Sequence, residues 1–150
     1  TRASGIYMSC GMLEVRSSAV HGLGVFAVKR IPENTSLGFY TGELCAEEHI
    51  RSDYAMHLTD PPPWIKENPR LMRQWKRGFR VVDAYLKPTM ILRYMNGPKD
   101  GHPPQTVRIT QQGEYVTMCD IPKRAELMTF FGEAFWKVCS EPCMHQFCKH

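Results

Sequence analysis

Short apolar runs separated by glycine and proline are the feature that most limits how this sequence can fold. The 150 residues include 11 glycines and 11 prolines, and no apolar run approaches the ~20 residues that a membrane span needs. Such short runs with frequent turn residues indicate a β-rich fold, in a chain long enough for one compact domain. Gly22 and Gly24 form a lone G-x-G with no third glycine and no following helix, which argues against a Rossmann dinucleotide site.

The predicted elements surround one segment of different character. Residues 47–78 are polar, contain four prolines and hold a helix-like run at 70–76, so we interpret them as a partly helical insertion. Residues 1–10 show no periodicity and are expected to be a loose lead-in. One or two helical turns are expected at 89–95, and a glycine- and proline-rich loop follows at 96–104. The predicted strands cover residues 13–15, 24–28, 36–44 with a break at Gly42, 79–84, 106–110, 115–119 and 127–131. The first two are expected to form a hairpin-like unit, and 106–110 is expected to pair with 115–119.

The basic excess of the chain is mild, with a formal net charge of +4. The densest basic stretch is residues 70–80, where Trp75 and Phe79 are interleaved with arginine and lysine. A solvated helix face with aromatic anchors is favoured over a phosphate-binding patch. We therefore expect no direct contact with nucleic acid. The short apolar runs predict no membrane association, and we expect a monomer.

Half of the six cysteines lie near the end of the sequence, at positions 139, 143 and 148. This clustering is more typical of a metal site in a reducing compartment than of a disulfide scaffold. Thiolates at such a spacing, with His145 and His150 nearby, suit tetrahedral zinc. The alternative is a flexible tail with free thiols.

Four separated motifs carry a resemblance to a known family. They are, in order, residues 21–27 (HGLGVFA), 39–43 (FYTGE), 93–96 (RYMN) and 126–132 (ELMTFFG). Their order and spacing resemble the SET domain family of protein lysine methyltransferases. The resemblance implies a mainly β, SET-type β-clip fold of small curved sheets. The third and fourth motifs would meet at a knot-like crossing. It also implies a SET-like domain over residues 1–136 and a Cys-rich, post-SET-like tail over 137–150.

The resemblance implies transfer of a methyl group from S-adenosylmethionine to a protein lysine, by analogy in a histone tail and in the nucleus. Glycine lets a backbone approach a ligand closely, and asparagine offers both a donor and an acceptor. Gly97 stands where the family usually has histidine, a departure known from its PR-type branch. The implied cofactor-binding residues are Gly22, Leu23, Gly24, Arg93, Asn96, Gly97 and Trp136, the last either stacking on adenine or capping the core.

The same resemblance assigns a lysine channel to Tyr40, Thr129 and Phe131. The lysine amine must be neutral to react, although its pKa in solution is near ~10.4, and an apolar channel favours that form. Phe131 stands where the family usually has tyrosine, and losing such a positioned hydroxyl often costs ~10²–10³-fold in rate. The hydroxyl of Tyr40 or Tyr94 could compensate.

For zinc, the resemblance implies the ligands Cys139, Cys143 and Cys148, with His102 as a candidate fourth ligand beside His145 and His150. Two other hypotheses remain open for the whole chain. One is a catalytically weak or inactive SET- or PR-like module that binds protein partners. The other is an unrelated β-rich domain with a zinc tail.

Overall fold

The computed structural model describes residues 6–87, 90–100 and 102–130. The described part of the chain is mainly β, as predicted, and its strands form three small antiparallel sheets of three strands each. None of its helices is long and apolar enough to cross a membrane.

The first sheet is formed by β1 (Ile6–Cys10), β2 (Leu13–Ser17) and β3 (Leu23–Ala27), in that order. The predicted pairing of the second and third of these strands is confirmed, and it buries the side chains of Val15 and Val25 completely. The loose lead-in expected for residues 1–10 is wrong for residues 6–10. Gly11, at φ 59°, allows the tight turn that pairs β1 with β2, and that pairing outweighs the weak local pattern.

The second sheet has the order β4 (Ser36–Phe39), β9 (Glu114–Thr117) and β8 (Val107–Ile109). The third has the order β5 (Glu43–Cys45), β7 (Val81–Asp83) and β6 (Ala55–His57). The strand predicted at 36–44, with its break at Gly42, is two strands that belong to two different sheets. The chain changes sheet at Gly42, where an added Cβ would collide with the backbone carbonyl of Asp83.

The insertion contains two helices, α1 (Pro63–Lys66) and α2 (Pro69–Lys76). The second matches the helix-like run predicted at 70–76, whereas the first was not predicted. The Asn68 Oδ1 caps α2 by accepting hydrogen bonds from the backbone N–H groups of residues 70 and 71, at 3.0 and 3.1 Å. Trp75 anchors the helix in the core. The insertion also supplies β6, which the sequence analysis did not predict. A 3₁₀ helix at Ile91–Tyr94 matches the expected helical turns.

The described end of the chain, residues 127–130, does not form the regular strand that was predicted. These residues instead thread between two other segments by isolated bridges, Asn96 with Met128 and Val107 with Thr129, both parallel. The Met128 carbonyl accepts from the N–H of Val107, and the Thr129 N–H donates to the Asn96 carbonyl. The third and fourth motifs therefore meet in space. We call this region the crossing.

Candidate functional site

Asn96 lies at the centre of a polar network on one side of the crossing. Its side chain is 1% exposed, and its Nδ2 lies 3.0 Å from the backbone oxygens of both His21 and Leu23. The same Nδ2 lies 3.1 Å from Glu126 Oε2. Three acceptors around this atom determine which way the amide faces, because a carbonyl oxygen there would have no donor. The loop with Gly22 and Gly24 and the loop with Asn96 therefore converge.

The other end of that amide has no partner in the described part of the chain. Asn96 Oδ1 is buried and has no hydrogen bond to any described residue. A buried acceptor without a donor costs about 1–3 kcal/mol. The atom is thus suited to accept a hydrogen bond from a cationic or amino group of a ligand.

Ser18 and Glu126 complete the network, and the sequence analysis gave neither of them a role. Ser18 Oγ lies 2.9 and 2.8 Å from the two carboxylate oxygens of Glu126 and accepts a hydrogen bond from the Val20 N–H. Burial raises the pKa of the Glu126 carboxyl, and the hydrogen bonds from Asn96 and Ser18 oppose that rise. The only signal in the sequence was a charged residue leading an apolar run.

The two glycines of the first motif have different reasons for being glycine. Gly22 is exposed and has φ 47°, the left-handed region that favours glycine in a turn. Gly24 is buried, and an added Cβ would collide with the Glu126 carboxylate. Gly24 therefore makes room for a protein side chain. Leu23, between them, is half-buried and presents its carbonyl to Asn96.

Gly97 and Thr129 lie within the crossing itself. An added Cβ at Gly97 would lie 3.2 Å from the Thr129 carbonyl oxygen, which is tight for a side chain. Thr129 is fully buried, and its Oγ1 has no hydrogen-bond partner among the described residues. Residue 97 thus contributes backbone only, and Thr129 offers a second unsatisfied polar atom.

Tyr40 lies in an aromatic group that is separate from the polar network. Its hydroxyl donates to the Tyr54 carbonyl oxygen at 2.8 Å, and its ring stacks on Tyr115 with the centroids 6.1 Å apart. Burial raises the pKa of Tyr40 far above its usual range, so the hydroxyl stays protonated. The hydroxyl proton is already donated to the Tyr54 carbonyl, but the hydroxyl oxygen can still accept a hydrogen bond through its lone pairs.

Arg93 belongs to this aromatic group. Its guanidinium carbon lies 4.0 Å from the ring centre of Tyr54 and 5.0 Å from that of Tyr94. Its Nη1 donates to the Ala84 carbonyl at 2.8 Å and its Nη2 to the Tyr94 hydroxyl at 3.3 Å. These contacts place the Arg93 side chain beside Tyr40, whereas the polar network around Asn96 does not include it.

An apolar cavity of about 290 Å³ lies beside the second motif, away from the polar network. Its lining residues are Leu13, Leu37, Gly38, Phe39, Met90, Ile91 and Leu92. No residue of the polar network is among them, so this cavity is a separate feature.

Several predicted site residues cannot be placed. Phe131, Trp136 and the proposed zinc ligands Cys139, Cys143 and Cys148 lie outside the described residues, as do His145 and His150. His102 is described and is exposed. Among the described ranges, no group of three or more His, Cys, Asp or Glu side chains could hold a metal ion.

Comparison with known proteins gives matches among solved structures. Neither a family model nor a curated protein matches the sequence. The methyltransferase domain of human PR domain-containing protein 2 matches with a TM-score of 0.61 and 20% identity, over 85% of this chain and 82% of that one. The SET domain of the RIZ1 tumor suppressor (PRDM2) gives a TM-score of 0.56 and 22% identity, over 87% and 74%.

The ATXR5 SET domain in complex with histone H3 di-methylated on R26 is also similar. It has a TM-score of 0.57 and 19% identity, over 83% of this chain and 59% of that one. Structural matches at identities this low show the fold alone, so any activity has to be argued from the candidate site. Together with the three sheets and the meeting of the third and fourth motifs, these matches show that the chain adopts the SET-domain fold.

Proposed function

We propose that this chain is an S-adenosylmethionine-dependent protein lysine methyltransferase. The observation that carries the proposal is the buried Oδ1 of Asn96, which has no partner among the described residues and lies where the first and third motifs converge. When bound, the cofactor would supply an electrophilic methyl group on sulfur and an α-ammonium group. Asn96 Oδ1 would accept a hydrogen bond from that ammonium, and the nearby Glu126 carboxylate would add favourable negative charge.

The aromatic group suits the lysine amine. Tyr40 can accept a hydrogen bond through its oxygen without losing its proton. The guanidinium of Arg93 carries a permanent positive charge next to the rings of Tyr54 and Tyr94. A second cation beside it is disfavoured, so a lysine entering this region would be favoured in its neutral, nucleophilic form. With Phe131 in place of tyrosine, positioning would depend on Tyr40 and Tyr94.

The proposed substrate is a lysine in a basic peptide such as a histone tail. Residues 41–60 contain five acidic residues and one arginine, a formal charge of −4. All five acidic side chains are exposed, and this segment includes Tyr54, the hydrogen-bond partner of Tyr40. Negative charge beside the channel would attract basic peptides. The ATXR5 structures, in complex with histone H3, agree with this choice, and a chromatin substrate would imply a nuclear location.

A second candidate, a weak or inactive module that binds protein partners, is favoured by the lost hydroxyl at position 131. The two are separated by incubating the protein with methyl-labelled S-adenosylmethionine and a histone mixture. The enzyme proposal predicts label on lysine in the wild type and a faster rate in Phe131→Tyr. Label in neither protein would exclude the enzyme and leave the module.

A further inference from the structure

The positive charge of the chain is concentrated in one short segment. Residues 61–80 contain six Lys and Arg and one Glu, a formal charge of +5, whereas the whole chain carries +4. The other 130 residues therefore carry −1 together. The mild basic excess of the composition thus conceals one strongly basic region.

In the structure five of these six cations are exposed, and we call this set the basic face; the one acidic residue of the segment, Glu67, is exposed as well. The basic face consists of Lys66 at the end of α1 and, on or directly after α2, Arg70, Arg73, Lys76 and Arg77, all of them exposed. The ion pairs of the described residues are Arg16 with Glu14 and Arg30 with Asp120. None of the five cations of the basic face is therefore paired with a carboxylate in that part of the chain.

The spacing on α2 suits a row of phosphates. Residues 70, 73 and 77 recur at the i, i+3 and i+7 positions, which fall along one stripe of a helix. At about 1.5 Å per residue, α2 is about 12 Å long. One strand of a duplex presents a phosphate every ~3.4 Å along its axis, so the stripe spans roughly three. Three of the five cations are arginines, whose planar fork matches phosphate oxygens.

A lipid surface suits the basic face less well. An interfacial helix needs exposed apolar side chains to enter the lipid. On α2, Trp75 is buried, and Leu71 and Met72 are half-buried and packed against the core. The apolar side of the helix therefore packs against the protein core, and the exposed side consists mostly of charged residues.

We propose that the basic face of α1 and α2 is a docking surface for the phosphate backbone of nucleic acid, bound without sequence preference. This revises the sequence-based preference for a merely solvated helix face, because exposure, alignment and the lack of paired carboxylates are visible only in the structure. The inference does not depend on methyl transfer.

The test is fluorescence anisotropy of a labelled DNA duplex of about 20 base pairs, titrated between about 50 and 200 mM salt. We expect a dissociation constant in the range of about 10⁻⁴ to 10⁻⁶ M, and the affinity should fall steeply as the salt concentration rises. In Arg70→Gln/Arg73→Gln/Arg77→Gln, the slope of log K against log salt should fall by about three. The control Lys29→Gln/Lys99→Gln/Lys123→Gln has the same change in net charge on exposed residues elsewhere and should keep a slope near that of the wild type.

Equal losses in the two triple variants, or wild-type binding by the arginine variant, would overturn the proposal. So would a failure of the wild type to bind the duplex at the lowest salt. Vesicles of phosphatidylcholine with about 25% phosphatidylserine serve as the membrane arm. Binding to vesicles without binding to the duplex would assign the surface to lipid instead. Thermal melting of both variants checks that they remain folded.

Discussion

The polar network around Asn96 and the aromatic group around Tyr40, called here the polar side and the aromatic side, are built in different ways. On the polar side, Ser18, Asn96 and Glu126 join segments up to 108 residues apart, each through hydrogen bonds of defined geometry. On the aromatic side, Tyr40 and Arg93 are held largely by ring faces and by bonds to backbone carbonyls. A polar network in a dry site loses stability when one member is unsatisfied. We therefore expect the polar side to tolerate substitution poorly and the aromatic side to tolerate it better.

The largest effect should come from Asn96→Asp. The substitution replaces a donor with a carboxylate that faces two backbone carbonyls and Glu126. Leaving a buried charge uncompensated costs about 3–5 kcal/mol, and urea denaturation should show a loss of that order. The control Asn34→Asp lies at an exposed position with φ 62°, which aspartate tolerates, and should change stability by less than about 0.5 kcal/mol. Equal stability of the two variants would contradict the account of the polar side.

Gly24→Ala should give the next largest effect. The new methyl group can be accommodated only if the Glu126 carboxylate moves away and gives up its bonds to Ser18 and Asn96. We expect a loss of about 1–3 kcal/mol, and in a Glu126→Ala background the same substitution should cost clearly less. Gly97→Ala, which touches the Thr129 carbonyl instead, should show no such coupling to Glu126. Additive costs at positions 24 and 126 would show that Gly24 is required for another reason.

Within the aromatic side, removing two different tyrosine hydroxyl groups should have different effects on stability. Tyr40→Phe removes the bond to the Tyr54 carbonyl and should cost about 0.5–1.5 kcal/mol in stability. Tyr115→Phe removes a buried hydroxyl that has no partner among the described residues, so stability should stay the same or rise. If the chain transfers methyl groups, Tyr40→Phe should lower kcat while leaving cofactor affinity unchanged. A matching loss of affinity would place Tyr40 in the cofactor site.

The smallest effect concerns pH. Because burial raises the pKa of Glu126 in the folded state, the folded protein holds this proton more tightly than the unfolded chain does. Stability should therefore fall as pH rises from the ordinary glutamate value of about 4.3 through the raised value. Asp120, whose pKa is lowered by a backbone hydrogen bond from Glu33 and by Arg30, acts in the opposite direction. The measurement that isolates Glu126 is the free energy of unfolding of Glu126→Gln minus that of the wild type. This difference should increase as pH rises across the window; a constant difference would contradict the assignment.

The sequence predicted those parts of the fold that have a local cause. Turn residues and β-branched runs identified the pairs β2 with β3 and β8 with β9. The three residues of β6 are too few to show a periodic pattern within a polar insertion. Strand β1 is stabilised by pairing with β2, which its own sequence does not indicate. Leu127 and Met128 are apolar because they are buried where the chain passes through the crossing, which a local pattern cannot distinguish from a strand.

The candidate site divides in the same way. The convergence of Asn96 with the first motif followed from a resemblance in motif order, and the structure places these loops together. The hydrogen bond between Ser18 and Glu126 joins residues 108 positions apart, so the local sequence around either residue could not predict it. Arg93 contacts the aromatic group because its side chain extends away from Asn96, a direction that three residues of separation could not reveal.

Calorimetric titration with S-adenosylmethionine tests the central claim most directly. We expect saturable binding of S-adenosylmethionine at one site in the wild type and an unchanged affinity in Tyr40→Phe. In Asn96→Ala, the affinity should be strongly weakened while the protein remains folded. Wild-type affinity in Asn96→Ala would contradict the role of Asn96 in binding the cofactor. The same holds if the cofactor gives no heat of binding with the wild type and does not protect backbone amides near Asn96 from hydrogen exchange.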